Sequence, residues 1–465
     1  MNFQRTVMNY HNQLVQTHRD YQTQQGELHQ QFLQQRELAL AEMTAALSRK
    51  PLVLSQTSEP LHPFRPVGPS FSRAELEVLA SGKVSDVFGS RFESQDKYAH
   101  QVRMPKPPLL FADRILGIEG EPGSLGLGKV WFEMDVSGDS WYLHDGCMPA
   151  GLMLESVVNL SPLLMSWLGI DTQSNGERFT RFLGCEFMFH ESLVKRNTTL
   201  TSELTVDGQA HHDETWLTFH HIDSYADGQK RLTVREALVG FLTEAKLLGA
   251  SGVKWDAETA EFNTDARRDA PVVACEHRSF TKEQVHLFSE GRTAECFGTG
   301  YEKAYTHTRS PRIQSGKMLM IDEVQCFDPQ GGPWGSGYLK AKKTIHSNEW
   351  FFLCHFHNDP VMPGMLQLEG CLQAMAFYLA GLGFTLDKDG YRFEPIPEVM
   401  YKVEFRGQAL PTDREVIYEV FVQEVHGGDE PKLYADLLVT VDGLKVCYCQ
   451  GMGLRLVEMQ NERKG

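Results

Sequence analysis

His355 and Glu369 flank a Pro/Gly-rich loop and the start of an apolar segment. Around them the chain reads Cys354-His355-Phe356-His357-Asn358-Asp359-Pro360-Val361-Met362-Pro363-Gly364, then runs apolar from Met365 to Leu382. A histidine on a tight loop before a buried helix, with one carboxylate near the helix start, is an acid/base arrangement. The helix N-terminus adds free backbone N–H donors. A neutral imidazole can take a weakly acidic proton, and a protonated carboxyl can protonate a departing hydroxyl. Glu369 and Gln373 lie four apart on one helix face, so the amide can orient the carboxylate. Apolar surroundings push such a carboxyl toward its protonated form.

The elements that position these groups occur twice. Phe71 to Gly82 reappears as Phe280 to Gly291, and the same offset of 209 pairs Phe88-Gly89 with Phe297-Gly298, Asp113 with Asp322, and Trp141 with Trp350. The offset then becomes 214, matching Asp145 to Asp359, Met148-Pro149 to Met362-Pro363 and Glu155 to Glu369. Glu155 and Asn159 repeat the spacing of Glu369 and Gln373. Glu186-Phe187 and Glu404-Phe405 continue the pairing at 218. The first copy is therefore five residues shorter in the loop that holds His355 in the second. His144 is the histidine of that shortened loop, five residues before Pro149, and Ala150 replaces Gly364.

Cys354-His355-Phe356, Asp359 to Gly364, and the pair Glu369 and Gln373 together closely resemble the active-site signature of the 3-hydroxyacyl-acyl carrier protein dehydratases. Gly316 to Asp322 looks like that family's opening strand, and Glu398 to Met400 with Val403 to Pro411 like the strand after its helix. The likeness covers roughly 310–457. The tandem layout is most similar to the dehydratase region of bacterial polyunsaturated fatty acid synthases. The resemblance implies an α+β hotdog fold, an antiparallel sheet wrapped around a central helix. Two such units in tandem would form a pseudo-dimeric double hotdog.

The family builds each site across the pair, so the resemblance implies His355 working with Glu155, and His144 with Glu369. We expect the first site to be competent and the second degenerate. Gly364 would donate its N–H to the thioester carbonyl, an effect worth about 3 kcal/mol per placed donor. Its missing side chain would let the acyl chain approach. Cys354, Gln373 and Asn159 complete the expected substrate side. The implied reaction is dehydration of 3-hydroxyacyl thioesters to 2-enoyl thioesters without a cofactor or metal. An acyl carrier protein and other modules of a multidomain synthase are the implied partners. His355 could also move a second proton and shift the double bond, but isomerising relatives tend to carry Asp where Glu155 and Glu369 stand. A hotdog thioesterase and a non-catalytic acyl-binding module are the alternatives.

A formal charge of −16 argues against nucleic-acid binding. Docking an acidic carrier would then need a local basic patch, for which Lys230, Arg231 and Arg235 are candidates. Nine cysteines without a C-x-x-C pair fit a reducing compartment, and Cys447 and Cys449 share one strand face as packing residues. With no secretory signal and no apolar run of spanning length, a cytoplasmic protein is expected. His211, His212, His220 and His221 read as exposed strand ends beside the turn residues Asp213 and Glu214 rather than a metal cluster. His357 reads as a loop residue.

Four segments result: a helical extension and Pro-rich linker over 1–70, a first unit over 71–250, a linker over 251–279, and a second unit over 280–460. The central helices are expected at Gly151 to Leu168 and Met365 to Leu382. Strand-like alternation marks 199–206, 215–222, 231–241, 415–425, 432–441 and 445–456. Whether the paired units dimerise further stays open.

Overall fold

The computed structural model describes residues 64–212 and 215–459. The polar helix expected over 1–50, most of the Pro-rich segment, and the turn residues Asp213 and Glu214 lie outside the described residues.

The first copy carries strands β1 (Phe71–Ser72), β2 (Arg114–Glu119), β3 (Gly128–Val136), β4 (Phe179–Phe189), β5 (Thr198–His212), β6 (Thr215–Ala226) and β7 (Gln229–Leu242). The second carries β8 (Glu323–Asp328), β9 (Tyr338–Thr344), β10 (Tyr391–Pro395), β11 (Tyr401–Phe405), β12 (Glu415–His426), β13 (Lys432–Val441) and β14 (Leu444–Glu458). The principal helices are α1 (Arg73–Ser81), α2 (Ala150–Val158), α3 (Ser161–Leu168), α4 (Lys282–Ser289) and α5 (Gly364–Gly381).

Alternation writes the strands. In β9, Leu339 and Ala341 are buried while Tyr338, Lys340 and Lys342 are only half covered, as a sheet with one core face requires. Asp227-Gly228 and Asp442-Gly443 turn β6 into β7 and β13 into β14, all four residues at positive φ, which a two-residue hairpin demands.

The sheet runs β1-β2-β3-β5-β6-β7-β4-β11-β14-β13-β12-β9-β8, with β10 also on β14. The order β2-β3-β5-β6-β7-β4 is thus answered by β8-β9-β12-β13-β14-β11, and the copies meet at β4 against β11. There Glu186 faces Lys402 and Gly184 faces Glu404. The offset of 218 exchanges these two pairs, so the junction is the two-fold axis of the repeat. Smaller details obey the same axis. Asp113 accepts the Asp135 N–H at 2.7 Å and Asp322 the Thr344 N–H at 2.8 Å. Ser72 with Glu75 and Thr281 with Gln284 form matching capping boxes ahead of α1 and α4. Trp141 and Trp350, equivalent in the two copies, meet edge to face with centroids 5.0 Å apart. Both halves wrap their sheet around central helices: the fold is a double hotdog.

Several expectations need correction. The first central segment is two helices, because Pro162 in the first turn of α3 has no N–H to continue the ladder from α2. The run Ala150–Leu168 is long and apolar enough to cross a membrane, contrary to the expectation. All of it is buried inside the protein, so its apolarity is that of a core element. Gly316–Met318 is a 3-10 turn rather than strand, and the strand begins at Glu323. Strand β10 adds an element that the alternation pattern does not reveal. The segment over 251–279 is docked along the second copy: Trp255 stacks on Tyr448 at 4.7 Å, and the Arg267 carbonyl and Asp269 N–H bond Val425 beyond the end of β9.

Candidate active site

Proline sets the start of both central helices. Pro149 (φ −58°, ψ 148°) precedes α2, and Pro363 (φ −55°, ψ 135°) precedes α5, neither offering a side-chain cap. The first-turn N–H groups therefore need partners from elsewhere. Each helix finds them on the other copy. The Gly151 N–H donates to Glu369 Oε2 at 2.8 Å, and the Met365 N–H donates to Glu155. The close approach depends on Gly151, where a Cβ would lie 2.6 Å from the Met365 carbonyl oxygen and 2.8 Å from Glu369 Cβ.

Glu155 and Glu369 are almost completely buried, 2% and 1% exposed. Burial pushes both carboxyls up to about 7, although each is pulled back by the N–H it accepts and by the amide four residues on. Asn159 Nδ2 donates to Glu155 Oε1 at 2.7 Å. Gln373 is shared: besides acting on Glu369, its Oε1 accepts the Met320 N–H at 2.8 Å and its Nε2 donates to the Met318 carbonyl at 2.6 Å. The expected parity between Asn159 and Gln373 is therefore only partial.

The second-copy loop clasps itself. The Val361 N–H donates to the His355 carbonyl at 2.8 Å, and His355 Nδ1 lies 2.9 Å from the Val361 carbonyl. A carbonyl can only accept, so Nδ1 carries the proton and Nε2 keeps its lone pair. That Nε2 faces Glu155 Oε1 at 3.5 Å, across the copies. Burial, with Arg181 adding to it, brings the His355 pKa down to about 4. At neutral pH a neutral imidazole thus confronts a carboxyl that is substantially protonated. Asp359 fixes the loop from below through Arg181 on β4, whose Nη1 and Nη2 donate to the two carboxylate oxygens at 2.6 and 2.8 Å. Gln408 accepts from Arg181 Nε at 3.0 Å.

His355, Glu155, Asn159, Gly364 and Arg181 line one cleft of about 710 Å³, with Phe182, Val239, Met165 and Phe405 as apolar walls. Gly364 is the first residue of α5 and its N–H has no intrahelical acceptor. The reason for glycine there differs from the expectation, since a Cβ would meet the Phe405 ring at 2.8 Å rather than open space for a ligand. Cys354 is not among the cleft-lining residues. Its Sγ faces the Trp350 and Phe351 carbonyls, and burial pushes the thiol up to about 12, so it stands behind the histidine as packing.

The other crossing is smaller. His144, Glu369, Gln373 and Ala150 share a cavity of about 350 Å³. His144 Nε2 donates to the Arg312 carbonyl at 3.1 Å, and Asp145 is held by Arg312 at 3.0 Å. Among the described residues the carboxylate that His144 Nε2 approaches is Asp145, at 3.4 Å, and not Glu369. Burial lowers the His144 pKa as well.

The remaining sequence candidates scatter. His220 is fully buried, correcting its reading as an exposed strand end, and its Nε2 contacts Thr218 Oγ1 at 2.7 Å. His211 is exposed, His221 pairs with Asp207, and no cluster of three His, Cys, Asp or Glu that could hold a metal occurs among the described residues. Lys230 and Arg235 both clasp Asp223 at 2.9 Å, and Arg231 lies 3.9 Å from Asp227. Their charges are thus largely matched at home. Cys447 and Cys449 are buried core residues. Sequence reasoning missed Arg181, the Val361 carbonyl and the apolar walls. Asp359 in the loop was visible, but nothing pointed to its partner 178 residues away.

A component of the polyunsaturated fatty acid synthase of Thraustochytrium sp. (strain ATCC 26185 / S-3) is 28% identical over 403 residues, 85% of this chain and 26% of that protein. The chain thus spans about a quarter of that relative's length. Similar solved structures include the dehydratase domain from the CurJ module of curacin polyketide synthase (11% identity, TM-score 0.38, 74% of this chain and 96% of that one). An acyl-ACP thioesterase from Bacteroides thetaiotaomicron VPI-5482 is comparably distant (9% identity, TM-score 0.35, 70% and 97%). Likenesses this loose do not choose between the two activities. Residues 104–235 and 313–450, more than half the chain, match the FabA-like domain. One matched segment carries Glu155 and the other His355, and the chain belongs to the FabA-like domain family.

Proposed function

We propose that the chain dehydrates 3-hydroxyacyl thioesters to 2-enoyl thioesters in the cleft between the copies. The observation that carries this reading is the crossed pair: a neutral His355 with a free Nε2, 3.5 Å from a carboxyl whose pKa is pushed up to about 7. His355 removes the C2 proton while the Gly364 N–H stabilises the charge gathering on the thioester carbonyl. Glu155 gives its proton to the C3 hydroxyl, the C3–O bond breaks, and water leaves. The imidazolium then stands beside a carboxylate, close enough to return the proton and reset the site once the product departs.

His144 and Glu369 form a secondary crossing that we read as degenerate, because His144 is engaged with the Arg312 carbonyl and Asp145 rather than with Glu369. The match to a fatty acid synthase component supports delivery of the substrate by an acyl carrier protein within a larger assembly. The division into units over 71–250 and 280–460, joined by 251–279 and preceded by 1–70, is part of the same proposal. The test is incubation with a 3-hydroxyacyl thioester, followed by the absorbance of the conjugated enoyl thioester and by product mass. Appearance of enoyl thioester supports the reading, whereas release of free acid makes the chain a thioesterase.

A further inference from the structure

The cleft continues past the catalytic pair into the first copy. Its lining there includes Ser161, Pro162 and Met165 from the junction of α2 and α3, together with Val239 of β7. This part of the lining coincides with the helix break. Pro162 interrupts the ladder, and the two short helices part between Val158 and Ser161. In the second copy the equivalent stretch is unbroken α5, and the cavity there is half the volume. Leu379, the counterpart of Met165, does not line that smaller cavity.

Behind Met165 the packing changes character. Thr218 Oγ1 lies 3.4 Å from Met165 Sδ, 3.5 Å from the Val239 carbonyl and 2.7 Å from His220 Nε2. A hydrocarbon chain running inward from the thioester would meet the methionine side chain first, with a buried hydroxyl–imidazole pair immediately beyond it. Pushing farther would separate that pair in an apolar interior, which is costly.

Resting on the reading of this cleft as an acyl site, we infer that Met165 is the floor that sets the longest acyl chain accepted, with Thr218 and His220 as its rigid backing. Methionine is flexible, so the limit is a graded one. Each methylene accommodated is worth about fourfold in binding, and each one refused forfeits that.

The test uses 3-hydroxyacyl thioesters of rising length with wild type, Met165→Ala, Met165→Trp and Leu379→Ala, recording kcat/KM for each length. In parallel, calorimetry measures binding of the corresponding non-reactive acyl thioethers. Removing three heavy atoms in Met165→Ala should move the optimum up by two to three methylenes, and Met165→Trp should move it down. Leu379→Ala should leave the shape of the profile unchanged. Parallel loss across all lengths in both Met165 variants, or a shift in Leu379→Ala, would overturn the assignment. If no thioester is turned over but the thioether profile still shifts with residue 165, the floor stands and the dehydratase reading fails.

Discussion

Replacing Glu155 by glutamine should make the protein more stable at alkaline pH while abolishing its chemistry. The side chain is fully buried, and its carboxyl is raised from the ordinary 4.5 to about 7, chiefly by loss of water. Below pH 4.5 it is protonated whether the chain is folded or not. Between pH 4.5 and 7 the unfolded chain ionises this group and the folded one does not, so the folded state binds more protons and loses stability as pH rises. At about 1.36 kcal/mol per pH unit, the penalty reaches roughly 3 kcal/mol above pH 7. Glutamine keeps the shape and one acceptor oxygen, but it cannot ionise. His355 contributes the opposite slope over nearly the same range. Its pKa is lowered from 6.5 to about 4, and Glu369 repeats the slope of Glu155, so wild-type stability alone does not isolate the contribution of Glu155. The informative quantity is the difference between Glu155→Gln and wild type in urea unfolding from pH 4.5 to 8. That difference should grow by about 3 kcal/mol with rising pH. Parallel curves across this range would refute the claim that Glu155 is held protonated by burial.

The same two values shape catalysis. With His355 needed unprotonated and Glu155 protonated, kcat/KM should fall below pH 4 and above pH 7, giving a bell whose limbs lie at about 4 and about 7. An activity still rising from pH 7 to 9 would contradict these roles. Gly364→Ala should reduce stability by about 1–3 kcal/mol because its Cβ meets Phe405 at 2.8 Å, and Phe405→Leu in the same chain should restore much of that loss by thermal unfolding. Arg181→Ala should destabilise the His355 loop by about 2 kcal/mol. This is less than the 3–5 expected of a fully buried pair, because the Asp359 side chain keeps 20% exposure. It should also lower kcat. Arg181→Lys should recover only part of that in steady-state assays, since lysine cannot bond both carboxylate oxygens.

What is local or repeated is legible in the sequence. The loop from Cys354 to Gly364 is contiguous, the repeat marks Glu155 as the counterpart of Glu369, and the resemblance to the dehydratases is what implies its crossing to His355. The double hotdog follows from that resemblance taken together with the repeat. Long-range partners leave no such trace, as with Arg181 clasping Asp359 from another sheet strand. The proximity of Phe405 to Gly364 is likewise a property of the folded junction, so the purpose of that glycine does not show in the loop itself. Two features carry a signal that the smooth pattern conceals. Pro162 lies inside the apolar run, and a proline there marks a break in the helix. His220 and His221 are neighbours on a strand, so they must point to opposite faces, and one of them has to be inside.

The central claim is one dehydrating site crossed between the copies. Its most direct test is mass-spectrometric turnover of a 3-hydroxyacyl thioester by wild type, His355→Ala, Glu155→Gln and Glu369→Gln. The account predicts that enoyl product falls by about 10²–10⁴ in the first two variants and persists largely unchanged in the third. Equal loss in Glu369→Gln, or full activity in His355→Ala, would contradict it.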